Sequence, residues 1–347
     1  MTRILNYLEV LEQIKVYTHK VLLLGNGFSM AYDSKRFSYT SLLNSALDKG
    51  IIKKGSALHK AFQIFSTSDF EMVIKSLENT NNVLSAYNYK EIEEIREDSK
   101  NLKKYLVDVV TNNHPNLPTD ITEHKYRSAI NFIKNYTKIY TLNYDLLLYW
   151  VTMKYLELVE KGIIKKSIDV TDGFANGNKE DEYVEFLGEP NILYLHGGLH
   201  IFDKGSLIIK NTFSRTDIPL KEQTLENLKN NIYPVFISEG TSEQKLSKIM
   251  HNSYLNVCFR RFRKMSGKTG LVIFGTKFSN NDDHIVDAIM ESKCNEIFFP
   301  VSSEEQLEKK EVKKFISKNE ALKNKKKISF YNYKTVNVWD NCNETKK

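Results

Sequence analysis

Short apolar runs without alternation punctuate this chain: Lys20-Val-Leu-Leu-Leu-Gly25, Lys138-Ile-Tyr-Thr-Leu142, Asn191-Ile-Leu-Tyr-Leu195, Gly270-Leu-Val-Ile-Phe-Gly275, Glu296-Ile-Phe-Phe-Pro300 and Lys327-Ile-Ser-Phe-Tyr331. A run that is apolar throughout and bounded by glycine or polar residues predicts a strand covered on both faces, as in a parallel sheet. Ser206-Leu-Ile-Ile-Lys210 and Tyr233-Pro-Val-Phe-Ile237 read as two further strands. Elsewhere apolar residues recur three and four apart, the spacing of one helix face. That spacing predicts helices at Leu5 to Val16, Ile121 to Asn135, Asp145 onward, Gln244 to Met265 and Asp282 to Ser292. The polar, glycine-bearing stretch Asp169 to Asp181 reads as a loop, and the tail Val336-Asn-Val-Trp339 as a last strand on the sheet.

From Tyr39 to about Leu117 the pattern is helical only, in Ser41-Leu-Leu-Asn-Ser-Ala-Leu, Ala61-Phe-Gln-Ile-Phe and Asp69-Phe-Glu-Met-Val-Ile-Lys-Ser-Leu, until His114-Pro-Asn-Leu-Pro118 breaks it. Roughly eighty residues is too long for a simple crossover. The predicted fold is therefore α/β: a Rossmann-like, doubly wound, mostly parallel sheet formed by 1–38 and 118–347, with 39–117 as an α-helical insertion. In such sheets ligands lie at the carboxyl ends of the strands. Those ends are where candidate chemistry is sought.

Composition narrows the class. With 347 residues, 41% apolar and 27% charged, the chain can bury a core and needs no disordered class. Its longest apolar stretches, Val21 to Leu24 and Leu271 to Phe274, are far too short to span a membrane, and Met1-Thr-Arg-Ile-Leu-Asn lacks a signal-peptide pattern. The expectation is a cytoplasmic protein with no membrane partner. Cys258, Cys294 and Cys342 are widely separated and odd in number, which argues for reduced thiols. The net charge of +7 sits partly in Arg260-Arg-Phe-Arg-Lys264 and Lys323 to Lys327, read as solvated helix faces rather than a nucleic-acid footprint. No His, Asp or Glu cluster has metal-ligand spacing, so no metal is expected.

Four strand ends carry unusual residues: Gly25-Asn-Gly-Phe-Ser29, Thr141-Leu-Asn-Tyr-Asp145, His196-Gly-Gly198 and Gly275-Thr-Lys-Phe-Ser279. In Gly25-Asn26-Gly27 the missing Cβ atoms suit a backbone that approaches a pyrophosphate, or equally an ordinary tight turn. The turn is not a full GxGxxG, because Met30 fills the last position, and no acidic residue ends a second strand about twenty residues on, which disfavours a dehydrogenase. Asp145 reads first as the cap of the helix it precedes. Asn143, at a strand tip, would point its amide into the cleft. His196 is followed by two glycines, which suggests open space ahead of a ring whose ordinary pKa suits a general base. Gly275 and Thr276 read as a second nucleotide turn, while Ser279 and Asn280-Asn-Asp-Asp-His284 read as capping the next helix.

In order and context these four strand ends resemble the SIR2 superfamily, the sirtuin-like NAD-binding fold, and within it a bacterial SIR2-like branch of DUF4917 type. The resemblance runs from about Val21 to Glu291. It implies that Gly25, Asn26, Gly27 and Ser29 line the NAD phosphates and ribose, that Asn143 contacts the nicotinamide-side ribose and positions a water, and that His196 is the catalytic base. It places Thr276 near the adenosine side. Gly275 and Asp145 are read as further cofactor-binding residues, and Phe37 as a shield for the cation or a stack on nicotinamide, or equally as core packing. Lys35-Arg-Phe37 stands where sirtuins carry Asp-Phe-Arg, and the paired cysteines of the sirtuin zinc module are absent, which argues against a protein deacetylase. Similar bacterial domains hydrolyse NAD in antiphage systems. The expectation is an NAD-cleaving enzyme that takes NAD as substrate and uses no metal, with room for a phage-sensing partner or homo-oligomer. The alternative is a module that binds NAD or ADP-ribose without chemistry, which every strand-tip feature fits equally.

Overall fold

The computed structural model describes residues 3–37, 42–68, 70–89, 92–112, 115, 117–175, 180–184, 188–205, 207–212, 220–230, 232–237 and 241–339. Met1, Tyr39, Ser41, Asp69, His114, Ser206 and Cys342, which enter the readings above, lie outside them.

The six unbroken apolar runs become β2 (His19–Leu24), β3 (Lys138–Thr141), β6 (Ile192–Tyr194), β10 (Thr269–Phe274), β11 (Glu296–Val301) and β12 (Lys327–Asn332). With β1 (Ile4–Leu5) they form a seven-stranded parallel sheet in the order β1-β12-β11-β10-β2-β3-β6. Val21 to Leu24 are all buried, and each such side chain contributes roughly 1.5–3 kcal/mol. Tyr140 shares a row with Leu23 and Ile273, so Phe274 points to the opposite face. Phe262 of the helix Ser253–Arg263 packs on Tyr140 with ring centroids 4.9 Å apart, and Phe132 of the helix Glu123–Ile133 packs on Phe274 at 5.3 Å. Helices thus cover both faces, and the sheet is doubly wound.

From β2 the chain moves outward through β3 to β6; from β10 it moves the other way through β11 to β12. Adjacent β2 and β10 flank the point of reversal, where the crevice of this fold class opens. Register aligns Phe274, Leu24, Thr141 and Tyr194 in one row. Asn26, Thr276, Asn143 and His196 each stand two residues beyond that row.

Five strands form a second, antiparallel sheet: β4 (Phe174–Ala175), β5 (Glu180–Tyr183), β7 (Gly197–Asp203), β8 (Ile208–Asn211) and β9 (Tyr233–Phe236), in the order β4-β5-β8-β7-β9. Two of them correct the expected loop at Asp169 to Asp181. The signal there was a lone aromatic: Phe174 packs on Tyr183 and Tyr254 at 5.7 and 4.9 Å. The space expected ahead of His196 is filled by β7. A Cβ on Gly197 would stand 2.0 Å from the Val235 carbonyl oxygen of β9, so that glycine serves strand packing.

The expected helix from Gln244 to Met265 is two helices, Ser242–His251 and Ser253–Arg263, because extended Asn252 ends the first and caps the second by accepting from the Leu255 N–H at 3.1 Å. The tail is not a strand. Trp339 is buried, donates from Nε1 to the Phe28 carbonyl at 2.8 Å and packs on Phe28 and Tyr32. Nor is Lys323 to Lys327 a solvated helix face, since Lys326 is buried and donates to the Ser292 carbonyl at 2.6 Å. Within 39–117 lie the helices Leu42–Asp48, Ala57–Ile64, Phe70–Ala86 and Glu93–Asn112. No described helix is long and apolar enough to cross a membrane.

At the reversal point the two glycine turns interlock. The Gly25 N–H donates to the Phe274 carbonyl and the Gly27 N–H to the Gly275 carbonyl, both at 2.8 Å. A Cβ on Gly27 would lie 2.5 Å from the Gly275 Cα, and Gly275 has φ +80°, a conformation that favours glycine. Backbone against backbone cannot give way as a side-chain tip can. We therefore expect Gly27→Ala to lower stability by about 3 kcal/mol in a denaturant titration. Gly267→Ala, whose added methyl meets nothing within 4 Å, should stay within about 1 kcal/mol of wild type; equal midpoints for the two variants would contradict the interlock.

Candidate functional site at the carboxyl ends

The helix Gly27–Tyr32 carries Ser29 from the first glycine turn into the space beyond β3. There Ser29 is buried and acts as a hub: its hydroxyl donates to Asp145 Oδ2 and accepts from Asn143 Nδ2 at 2.9 Å. Thr141 sets the turn beneath them, its Oγ1 accepting from the Asn143 N–H at 3.0 Å. Asp145 Oδ1 accepts from the Leu147 N–H at 2.9 Å, so Asp145 does support the start of the helix Leu147–Glu160 as its position suggested, while its other oxygen holds Ser29. Burial raises the Asp145 carboxyl to about 6, against the lowering effect of the Ser29 and Leu147 bonds. This is a carboxylate kept out of water for more than capping.

His196 follows β6 and is buried beside the same tip, near the backbone of Leu142, the residue before Asn143. Its Nε2 meets Nε2 of His284 at 3.1 Å, with the rings inclined at 25°. Ser242 Oγ accepts from the His284 backbone N–H at 2.7 Å and lies 3.0 Å from His284 Nδ1. With the Ser242 hydroxyl proton given to His284 Nδ1, the second His284 proton stands on Nε2 and is donated to His196; with Nδ1–H donated to Ser242, whose oxygen has two lone pairs, the bond between the two Nε2 atoms runs the other way. Both arrangements keep both rings neutral. Burial, the Lys245 charge and the neighbouring ring all push His196 well below the usual histidine range. His284 is pushed down to about 4 by burial, Asp282 pulling the other way.

The remaining expected residues gather around this centre. Thr276 stands against Gly25 and accepts from the Phe278 N–H at 3.3 Å. Asn26 Nδ2 donates to the Phe37 carbonyl at 3.0 Å and so ties the Lys35 to Phe37 segment to the glycine turn, while the Phe37 ring is buried against Tyr32. Because the Gly25 and Gly27 amides are donated to the β10 end, the first turn offers a bare backbone surface more than a set of free N–H groups.

Ser242, Lys245 and His284 were not anticipated. Asp282 and Asp283, expected as helix caps, instead bind Lys245 at 2.9 Å and Lys314 at 2.6 Å, and Ser242 from another helix caps the His284 N–H. A histidine at the second position of the helix that follows the second glycine turn was the available signal for His284. Among the described residues, no group of three or more His, Cys, Asp or Glu side chains is placed to hold a metal ion.

The fold sets the class: a doubly wound α/β protein whose buried polar side chains gather at the carboxyl ends of its parallel strands. Residues 22–339 match the family described as Domain of unknown function (DUF4917), and the chain belongs to that family. The DUF4917-type resemblance of the strand-tip motifs is thereby borne out. Among solved structures the chain is similar to one described as the crystal structure of a Sir2 homolog–NAD complex, at 11% identity and a TM-score of 0.33, over 91% of this chain and 94% of that one. An overlap that weak leaves the site to be read from its own side chains. No curated protein matches the chain significantly.

Asp145 has a measurable signature. Its folded pKa of about 6 lies above the ordinary carboxyl value of 3.8, so it favours the fold while protonated and loses that contribution as pH rises through about 6. We expect Asp145→Asn, which keeps an acceptor for Leu147 and a partner for Ser29, to gain up to about 3 kcal/mol over wild type at pH 8 and nothing at pH 3.5. A difference between the two proteins that does not change with pH would contradict an ionised, desolvated carboxylate.

Proposed function

We propose that this chain hydrolyses NAD at the bond between nicotinamide and ribose, with Asn143 and His196 as its catalytic residues. The observation that carries this reading is the meeting of a hydroxyl, amide and carboxylate cluster with a neutral histidine, in a crevice position suited to a dinucleotide. The resemblance of the four strand-end motifs to the SIR2 superfamily supports it.

The nicotinamide nitrogen of NAD is already cationic, so it departs with the electron pair of the C1′–N bond and needs no general acid. The oxygen of a water molecule bonds C1′, and the proton it loses passes to His196 and then to solvent, giving nicotinamide, ADP-ribose and one proton. Beyond the N–H it gives Ser29, the Asn143 amide has a carbonyl and a second N–H with which to hold the ribose hydroxyls and that water. Asp145 is a positioning residue, fixing Ser29 and through it Asn143. Gly25, Gly27, Gly275 and Thr276 give the phosphates and the adenosine side a surface of bare backbone, and Asn26 keeps the Phe37 segment at its rim. In this reading 1–38 with 118–347 is the catalytic unit, 39–117 an inserted helical one, and the protein a cytoplasmic antiphage effector answering a phage-sensing partner or its own assembly.

One observation favours a second reading, a domain that binds NAD or ADP-ribose without chemistry: the Nε2 of His196 is already engaged by His284 within the protein. Chromatography of NAD incubated with purified protein separates the two. We expect nicotinamide and ADP-ribose from wild type and a fall of roughly 10²–10⁴-fold in turnover for His196→Ala and for Asn143→Ala. Unchanged turnover in both variants would sink the assignment.

A further inference from the structure

A general base needs an open lone pair, and the Nε2 of His196 is covered in this structure. It lies 3.1 Å from His284 Nε2, in hydrogen-bond contact with that ring. The His284 ring therefore stands where the O–H of a reacting water must stand if that nitrogen is to take its proton. We propose that His284 is a displaceable mask over His196, held by Ser242 and drawn aside when a nucleotide occupies the second glycine turn. The proposal rests on the reading of His196 as the base.

The connectivity supports the coupling. His284 lies in the first turn of the helix Asp283–Glu291, and the segment from Gly275 and Thr276 runs into that turn through the 3-10 helix Asn280–Asp282. A group bound against Thr276 thus acts on the same short stretch of chain that positions the mask. The backbone N–H and Nδ1 of His284 both depend on the half-buried Ser242, on the neighbouring helix Ser242–His251, while Lys245 to Asp282 and Lys314 to Asp283 tether the flanking residues. That neighbouring helix also touches the helical insertion, since Gln244 Nε2 donates to the Ser66 carbonyl at 2.9 Å. When His284 turns away it keeps its Nε2 proton, and the lone pair of His196 faces the crevice.

Nitrogen-15 histidine NMR on the full chain tests this without relying on activity. In wild type we expect a protonated His284 Nε2, an unprotonated His196 Nε2 and a coupling between them across the hydrogen bond, lost when NAD is added to saturation. A proton on His196 Nε2, or a coupling that persists with NAD bound, overturns the mask, as does NAD that leaves both rings unchanged. The activity arm uses His284→Ala and, should that variant unfold, Ser242→Ala. Unmasking should raise basal NAD turnover roughly tenfold, as expected when a scarce competent state becomes the main one. A fall in turnover at an unchanged unfolding midpoint would make His284 a positioning residue instead and overturn the proposal. If NAD removes the coupling yet no variant releases nicotinamide, the mask stands as a nucleotide-responsive contact and the hydrolysis reading fails; if His196→Ala abolishes turnover while the coupling persists with NAD bound, the reverse holds.

Discussion

The contact on which the rest of the structure depends is the one between Gly27 and Gly275, where two backbones meet with no room for a methyl group. It joins the turn after β2 to the turn after β10, strands that belong to opposite windings of the sheet. Two hydrogen bonds, from Gly25 to Phe274 and from Gly27 to Gly275, lock the same pair of turns. With them locked, Ser29 is delivered beyond β3 and His284 is carried to the tip of β6.

Beyond the interlock, the site is a problem in burying polarity. Asp145 is held ionisable in a dry place by Ser29 and the Leu147 N–H, and the two histidines are held neutral by burial with Lys245 near by. The signs are opposite and informative. A carboxyl raised to about 6 and an imidazole lowered to about 4 both pay for desolvation by favouring the uncharged form. Such groups are costly to keep unless their charge is used. The pairing of a reluctant carboxylate with a reluctant base in one crevice is the physical reason to read this cluster as functional.

Much of this was legible in the residue pattern. Runs without alternation marked six of the seven strands of the parallel sheet, because strands buried on both faces leave no polar face to show. Asn26, Asn143, His196 and Thr276 stood out for a reason the register explains: each lies two residues past the same row of the sheet. The antiparallel sheet was less visible. Its strand β7 begins on Gly197, a glycine demanded by the Val235 carbonyl of a strand far along the chain, and no local pattern announces such a contact. His284 was missed because its neighbours Asp282 and Asp283 looked like helix caps; only the tertiary positions of Lys245, Lys314 and Ser242 reveal what those residues bind.

The central claim is that water breaks the nicotinamide–ribose bond of NAD in this crevice. Mass spectrometry of NAD incubated with the protein in ¹⁸O-labelled water tests it most directly. The account predicts nicotinamide in equal amount to an ADP-ribose carrying one ¹⁸O on its terminal ribose. NAD recovered intact from a protein that binds it, or ADP-ribose without the label, would contradict it.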